Sequence, residues 1–273
     1  MSELVLPTSL VGSYAQQEWL IDKSRLGQRL PTRVILHELW RLSEKNLVEA
    51  QNDATVIALN DQHRAGVDIV TDGEMRRESY SNRFANALTG IDLENPGEAL
   101  DRTGKTVSVP RVTGEITRPE AAREYALAAI DQALLGASGP TVLHVCFGYG
   151  KHVADKSDGY AFFDELDGCL ADEISIECAK PRLKMNLLQG LPSKKVHVGV
   201  IDLRDINIET PEIVAARIES ALEFLPEDRL VVAPDCGMKY LSREVAYGKL
   251  SNMVKGRDLV LGRSGGINNR QTI

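Results

Sequence analysis

The chain alternates short apolar segments, rich in β-branched residues, with longer stretches that carry apolar side chains at helical spacing. Each short segment ends in a polar residue or a cysteine, and the predicted strands cover residues 9–13, 68–74, 141–146, 173–177, 196–202 and 230–236. Strands that alternate with helices form parallel sheets, and chemistry in such folds gathers at the carboxyl ends of the strands. The pattern predicts an α/β protein, a (β/α)8 barrel of the TIM type that is incomplete, with about six βα units evident.

Helix start signals support this alternation. Thr210 can accept a hydrogen bond from a first-turn amide, and Pro211 suits the first turn of the helix that follows. Ser242 is the predicted cap of the last helix. Further predictions are a helix that runs from residue 34 to residue 59, a small hairpin made by residues 106–109 and 111–116, and a loosely ordered tail from residue 262 onward.

Composition narrows the classes of function. The net charge of -7 and the lack of a basic run argue against nucleic-acid binding, because phosphate backbones favour clustered Lys and Arg. No apolar run approaches the roughly 20 residues that span a bilayer, and the N-terminus does not resemble a secretory signal. We therefore expect a cytoplasmic enzyme whose cysteines are buried thiols or metal ligands rather than disulfides. The cysteines are Cys146, Cys169, Cys178 and Cys236, of which Cys169 and Cys178 are predicted to be structural.

His144 and Cys146 alternate on one predicted strand, so their side chains point to the same side of the sheet. Glu177 and Cys236 end later strands and can reach the same mouth of a barrel. Two thiolates, an imidazole and a carboxylate form a tetrahedral zinc set, and the sulfur ligands disfavour magnesium and calcium. The alternative interpretation is that the cysteines are small buried hydrophobes and that His144 is a core histidine.

Three carboxylates at strand ends have two interpretations each. Glu74 follows Gly73, which permits close approach of the backbone, and it either holds the ammonium of an amino-acid substrate or is a solvated turn residue. Asp202 and Asp235 either orient metal ligands or close ordinary turns. The residues alone leave these alternatives open.

Five different short motifs lie at the strand ends. In chain order they are Val-Gly-Ser at 11–13, Asp-Gly-Glu at 72–74, His-Val-Cys at 144–146, Ile-Glu at 176–177 and Pro-Asp-Cys-Gly-Met-Lys at 234–239. In type and order they resemble the catalytic barrel of cobalamin-independent methionine synthase, particularly its short single-barrel relatives. The last motif is highly specific. The resemblance implies one domain over residues 1–273 that transfers a methyl group from 5-methyltetrahydrofolate polyglutamate to homocysteine, in methionine biosynthesis.

The resemblance also implies roles for individual residues. It places zinc on the set of four named above, His144, Cys146, Glu177 and Cys236. Zinc lowers the pKa of a bound thiol, so a thiolate nucleophile exists at neutral pH and attacks the methyl carbon. The residues matched to the amino-acid end of homocysteine are Val11, Gly12, Ser13 and Glu74, and the predicted catalytic carboxylates are Asp202 and Glu74.

One departure from the family lies between Pro119 and Glu120. Relatives carry there a strand that ends in Thr-Gly-Pro or Pro-Gly-Pro and another that ends in Asp-Glu-Pro, and neither is present in this chain. Two βα units are therefore predicted to be lost near residues 119–120, together with the Asp that partners the homocysteine amino group. Two exposed sheet edges predict an open or six-unit barrel, a homodimer that closes the edges, or a degenerate copy that folds poorly.

A second departure is Arg204, which stands where methionine synthases place a proton-donating His. A guanidinium that stays charged cannot relay a proton. Relatives with the same zinc set also open epoxides with a thiol cofactor. The alternatives to methionine synthesis are therefore zinc-dependent alkyl transfer to another thiol, and a catalytically inactive zinc-binding paralogue. In each case the predicted partners are small molecules, with no nucleic acid and no membrane.

Overall fold

The computed structural model of the chain describes residues 5–24, 39–77, 91–100, 106–113, 130–131, 134–147, 159–160 and 163–268. Its helices are α1 (Glu44–Ala65), α2 (Pro211–Leu222) and α3 (Arg243–Asn268). Its strands are β1 (Ile91–Leu100), β2 (Thr106–Val112), β3 (Val142–Val145), β4 (Glu173–Ile176), β5 (Lys195–Ile201) and β6 (Leu230–Pro234). Short 3-10 helices lie at Asp164–Gly168, Met185–Gly190 and Glu227–Arg229.

The centre of the fold is a parallel sheet with the strand order β3-β4-β5-β6. Two more segments extend it beyond β6, since Thr8 forms a parallel bridge with Val232 and Ser9 forms one with Ile69. All six predicted strands thus occupy successive places in one parallel arrangement, although the first two are single bridges rather than full strands. The predicted α/β fold class with a parallel sheet is confirmed.

The arrangement has two ends, at the Ile69 segment and at β3. Within the described residues no parallel strand joins these two ends. Positions 119 and 120, where two βα units are predicted to be lost, lie outside the described residues. The loss of these units therefore stays a prediction.

The two faces of the sheet differ in polarity because side chains alternate along each strand. On one face the side chains of β4, β5 and β6 are apolar and buried: Ile174, Ile176, Val196, Val198, Val200, Leu230 and Val232. On the other face His197 bonds through Nδ1 to the Ser9 hydroxyl at 3.0 Å and through Nε2 to the carboxylate of Glu173. On this polar face, hydrogen bonds join β4, β5 and the segment that contains Ser9.

The helices largely follow the predicted signals. Thr210 accepts a hydrogen bond from the Ile213 amide at 3.4 Å, and Ser242 accepts one from the Val245 amide at 3.3 Å, so both predicted caps are confirmed. The expected loose tail is wrong for residues 262–268, because α3 continues to Asn268, and the remaining residues of this tail lie outside the described chain. α1 spans Glu44–Ala65, so the predicted helix is confirmed from residue 44 and extends beyond its predicted end at residue 59. The prediction is wrong for residues 39–43, which are not α-helical, and residues 34–38 lie outside the described chain. None of the described helices is long and apolar enough to cross a membrane.

The small hairpin forms with a different partner from the predicted one. Residues 106–112 make one strand, which pairs antiparallel with the preceding β1. The sequence interpretation ended a strand before Pro110, but β2 passes through this residue. A proline without an N–H is tolerated where a strand edge carries no ladder bond, and a two-stranded sheet consists of such edges.

Candidate metal centre

Three of the four predicted metal ligands lie together at the carboxyl ends of β3 and β6. The ligand atoms of His144, Cys146 and Cys236 all lie within 4.8 Å of one another, and all three residues are half-buried. His144 lies in β3 and Cys146 directly follows this strand, so the two side chains point to the same face, and Cys236 is the second residue after the end of β6. The structure thus brings together an imidazole and two thiols from opposite edges of the four-stranded sheet.

The orientation of the His144 imidazole fits a metal ligand. Its Nδ1 lies 2.9 Å from the Ser175 hydroxyl, on the register partner of His144 in β4. Its Nε2 is buried, and it has no hydrogen-bond partner in the part of the chain that the structure describes. A buried nitrogen without a partner is costly, and a cation at Nε2 would satisfy it while Ser175 fixes the ring.

The two thiols are close enough to affect each other. A side-chain hydrogen bond with Cys146 raises the pKa of Cys236 well above its usual range, and burial adds to this effect. A metal cation reverses this balance because it binds thiolates and removes their protons. One imidazole nitrogen and two sulfurs form a donor set that zinc prefers.

The fourth predicted ligand, Glu177, is placed differently. Its carboxylate is buried, and Oε2 accepts a hydrogen bond from the Phe147 amide at 3.0 Å. Its oxygens do not belong to the group of three ligand atoms, although its charge contributes to the raised pKa of Cys236. The structure therefore puts Glu177 beside the cluster, and its role as a ligand stays a prediction.

Tyr160 connects the ends of β3 and β4, and the sequence interpretation missed it. Its hydroxyl lies 3.2 Å from the carbonyl oxygens of Val145 and Glu177 and accepts a hydrogen bond from the Glu177 amide at 3.2 Å. Its ring stacks on Phe147 with centroids 4.4 Å apart. Burial raises the pKa of Tyr160, so its hydroxyl keeps its proton at neutral pH. Tyr160 lies between strands, where no periodicity predicts a role.

The segment predicted to bind the amino-acid end of the substrate lies next to the Cys236 loop. Val11 and Ser13 are buried, and Gly12 has a φ of 59°, a conformation that favours glycine. The Ser13 carbonyl accepts a hydrogen bond from the Met238 amide at 2.6 Å, two residues after Cys236. The structure thus places this segment beside the candidate metal centre.

Glu74 lies at the end of the neighbouring segment and has a φ of 56°. Its carboxylate pairs with Arg77. A Cβ on Gly73 would lie 2.9 Å from the Cβ of Tyr14, so the predicted close approach of the backbone at Gly73 is confirmed. A residue other than glycine with positive φ is often found at a functional position, and Glu74 remains a candidate for binding an ammonium group.

Asp202 follows β5 and closes a local turn. Its carboxylate accepts a hydrogen bond from the Arg204 amide at 2.7 Å. Its own amide bonds to Glu209 at 2.8 Å, and its carbonyl accepts a bond from Lys249 at 3.0 Å. This geometry is that of a turn residue that also fixes the backbone of Arg204, and the predicted catalytic role of Asp202 stays a prediction.

Comparison with known sequences gives the family. The sequence profile described as "Cobalamin-independent synthase, Catalytic domain" matches residues 6–146 and 128–257. Methionine synthase from Thermococcus kodakarensis is 28% identical over 334 aligned positions, which cover 94% of each chain. The protein of the same name from Saccharolobus solfataricus is 27% identical over 339 positions, covering 95% of this chain and 96% of its own. Both alignments are longer than the chain of 273 residues, so they contain gaps.

Solved structures agree on the fold. A B12-independent methionine synthase from Shewanella sp. W3-18-1, in complex with selenomethionine, superposes with a TM-score of 0.80 at 24% identity, over 96% of this chain and 100% of that one. The putative vitamin-B12 independent methionine synthase from Listeria monocytogenes gives a TM-score of 0.61 at 17% identity, over 94% and 99% of the two chains. Since the family profile matches well over half of the sequence, the chain belongs to the cobalamin-independent methionine synthase family of methyltransferases, as its strand-end motifs predict.

Proposed function

We propose that this chain is a zinc-dependent methyltransferase that forms methionine from homocysteine, with 5-methyltetrahydrofolate polyglutamate as the methyl donor. The observation that carries this proposal is the buried Nε2 of His144, which has no hydrogen-bond partner among the described residues and lies beside the thiols of Cys146 and Cys236. The names of the relatives support it, and so does the Shewanella protein, which holds a selenium analogue of the proposed product.

The proposed zinc site uses His144 Nε2, Cys146 and Cys236, with Glu177 as the fourth ligand. Zinc bound there supplies a lowered thiol pKa, so that homocysteine is a thiolate at neutral pH. Ser175 keeps the imidazole in one orientation. The Phe147 amide holds the buried carboxylate of Glu177 through Oε2, which leaves its second oxygen as the proposed ligand atom.

The substrate's amino-acid end is proposed to bind between two segments. The Tyr14 amide donates to the Gly73 carbonyl at 2.9 Å, which ties the residues that follow Ser13 to those that precede Glu74. The absence of a side chain at Gly12 leaves its backbone accessible to a carboxylate, and Glu74 offers a negative charge to an ammonium. Holding both the carboxylate and the ammonium of the substrate in place orients its thiol towards the metal centre.

A second candidate function rests on Arg204. This residue occupies the place of the family's proton-donating His, and its amide is fixed by Asp202. Alkyl transfer to another thiol, such as the opening of an epoxide, is therefore the alternative to methyl transfer from a folate. A zinc-binding protein without activity is the further alternative, and it is motivated by the predicted loss of two βα units.

The first test of the proposed function is the zinc content of the purified protein, measured by elemental analysis. We expect about one zinc per chain in the parent, as a single tetrahedral site predicts. Cys236→Ser should lose most of this zinc. Cys169→Ala is the matched control, because Cys169 is a buried thiol outside the cluster, and it should keep the metal. A folded parent without zinc contradicts the proposal.

The second test separates the candidate functions. Homocysteine should change the visible absorption of the cobalt-substituted protein, and methionine should form when 5-methyltetrahydrofolate triglutamate is supplied. A spectral change without methionine, but with thioether formed from an epoxide and a thiol, favours the alkyl-transfer alternative. No spectral change with homocysteine or with other thiols favours the inactive paralogue.

A further inference from the structure

Two strands that carry metal-centre residues at their ends are not neighbours in the sheet. β4 precedes Glu177, β6 precedes Cys236, and β5 lies between them. Asp235 nevertheless reaches across β5 to the turn that follows β4. Its Oδ1 accepts hydrogen bonds from the amides of Cys178 at 2.9 Å and Ala179 at 2.8 Å, and its Oδ2 accepts one from Lys180 at 2.7 Å.

Gly199 of β5 makes this crossing possible. A Cβ at this position would lie 2.1 Å from Oδ1 of Asp235 and 2.8 Å from the carbonyl oxygen of Ile176. Both distances are far shorter than a carbon–oxygen contact, so even alanine would displace the carboxylate or the end of β4. The pairing of β5 with β6 is also irregular between Gly199 and Ile201. Glycine at position 199 therefore leaves space in β5 at the position where the Asp235 side chain crosses this strand.

A second carboxylate continues the connection to β3. The Asp235 turn begins directly after Glu177, and Glu177 binds the amide of Phe147, the residue that follows Cys146. Two carboxylates therefore link three strand ends in series, from the neighbour of Cys236 to the neighbour of Cys146. Each carboxylate fixes backbone amides, which move less than side chains.

We propose that Asp235 is a positioning residue for the metal centre, which sets the spacing between Cys146 and Cys236 and the direction of the Glu177 carboxylate. This inference rests on the proposed zinc site. It differs from the interpretation of Asp235 as an ordinary turn residue, because a turn residue would affect stability without changing the ligand geometry.

The chemistry of the side chain predicts which substitution is informative. Three N–H donors face the two oxygens of Asp235. An asparagine of the same shape has one acceptor oxygen, and its NH2 group would face one of these N–H groups. Asp235→Asn therefore removes at least one bond with little change in volume. Gly199→Ala disrupts the same contact by placing a methyl group where the Asp235 carboxylate lies.

The experiment compares both variants with Asp172→Asn. Asp172 accepts bonds from the amide and hydroxyl of Thr141 at 2.7 and 2.9 Å, at the opposite end of β3 and β4. We expect zinc affinity, measured by chelator competition, to fall by about 10- to 100-fold in Asp235→Asn and Gly199→Ala. The absorption of the cobalt-substituted protein should change in both variants. The control should match the parent in affinity and in spectrum.

Hydrogen exchange in the metal-free protein gives a readout that does not depend on zinc. Asp235→Asn should speed exchange at residues 178–180 and also at Phe147, whose amide donates to Glu177 rather than to Asp235. Folded variants with parental zinc affinity, cobalt spectrum and Phe147 exchange would overturn the inference. If the parent binds no zinc, the proposed function fails, and Phe147 exchange alone then decides whether the linkage exists. Should Asp235→Asn not fold, Gly199→Ala provides the same comparison.

Discussion

β3 and β6 both carry residues of the candidate metal centre, but their surroundings differ. All five residues of β6 are buried, whereas β3 has one exposed and three half-buried residues. β6 pairs on one side with β5 and on the other with the Thr8 segment, while the only described partner of β3 is β4. Core packing holds the β6 side of the centre in place. The positions of His144 and Cys146 depend more on the hydrogen bonds that Ser175, Tyr160 and Glu177 make with β3 and the residue after Cys146.

The largest expected effect comes from shortening the same side chain in both strands. Val232→Ala in β6 should destabilise the protein by about 2 kcal/mol, because it removes buried methyl groups and leaves a cavity. Val142→Ala in β3 should change the free energy of unfolding by less than about 0.5 kcal/mol, since Val142 is 47% exposed. Urea denaturation measures both. Equal losses of unfolding free energy would show that β3 is packed as tightly as β6 and would contradict the difference described above.

Ser175→Ala tests whether hydrogen bonding orients the ligand on β3. Without the hydroxyl the His144 ring can turn, and zinc affinity should fall by about 10-fold or more. Ser9→Ala is the matched control, because Ser9 makes the same kind of contact with His197, which is not a proposed ligand. Chelator competition measures the zinc affinity of both variants. Equal affinities in the two variants would show that Ser175 does not orient the ligand.

Tyr160→Phe tests the connection between β3 and β4. It leaves the Glu177 amide and a carbonyl without their hydroxyl partner and should cost about 1 kcal/mol of unfolding free energy. Tyr247→Phe is the control, since that ring packs near Arg64, away from the candidate metal centre. Thermal unfolding of the metal-free protein is the measurement. A loss no larger than in the control would mean that other contacts hold the end of β3.

The smallest expected effect concerns the polar face under the centre. A hydrogen bond from His197 lowers the pKa of Glu173, so the ionised carboxylate stabilises the fold above its unfolded pKa near 4.5. Glu173→Gln should cost about 0.5 kcal/mol at pH 7, because Glu173 is partly exposed and water screens its interaction with His197. As the pH falls through the folded pKa, parent and variant should converge. Unfolding curves between pH 3 and pH 7 measure this, and a difference that is constant with pH would refute the linkage.

The sequence predicts the three gathered ligands for a simple reason. A period of two fixes the side to which a strand residue points, and parallel strands end at the same edge, so His144, Cys146 and Cys236 meet. The same period also indicates Ser175, which shares a face with Glu177, but a serine carries too little chemical signal alone. The direction of Glu177 depends on the Phe147 amide of another strand, and no local pattern encodes it.

Predictions of the fold meet the same limit, because local patterns do not encode contacts between distant segments. β4, β5 and β6 form as predicted because each buries a continuous apolar face. The first two predicted strands form single bridges, since their pairing depends on neighbours that are distant in the chain. The predicted partner of β2 was wrong. Pro110 suggested that the strand ends before it, whereas pairing with β1 keeps the chain extended through Pro110.

The bridge between Thr8 and Val232 has a consequence for biosynthesis. β3 to β6 pair in the order in which a ribosome produces them, so each strand finds its partner as it emerges. The Thr8 segment is made before all four of these strands, but its partner β6 is made only after β3, β4 and β5. The nascent chain therefore carries its first strand unpaired on that side until β6 is complete. Pairing of the Thr8 segment with β6, and with it the placement of Ser13 beside the Cys236 loop, is therefore a late step of folding.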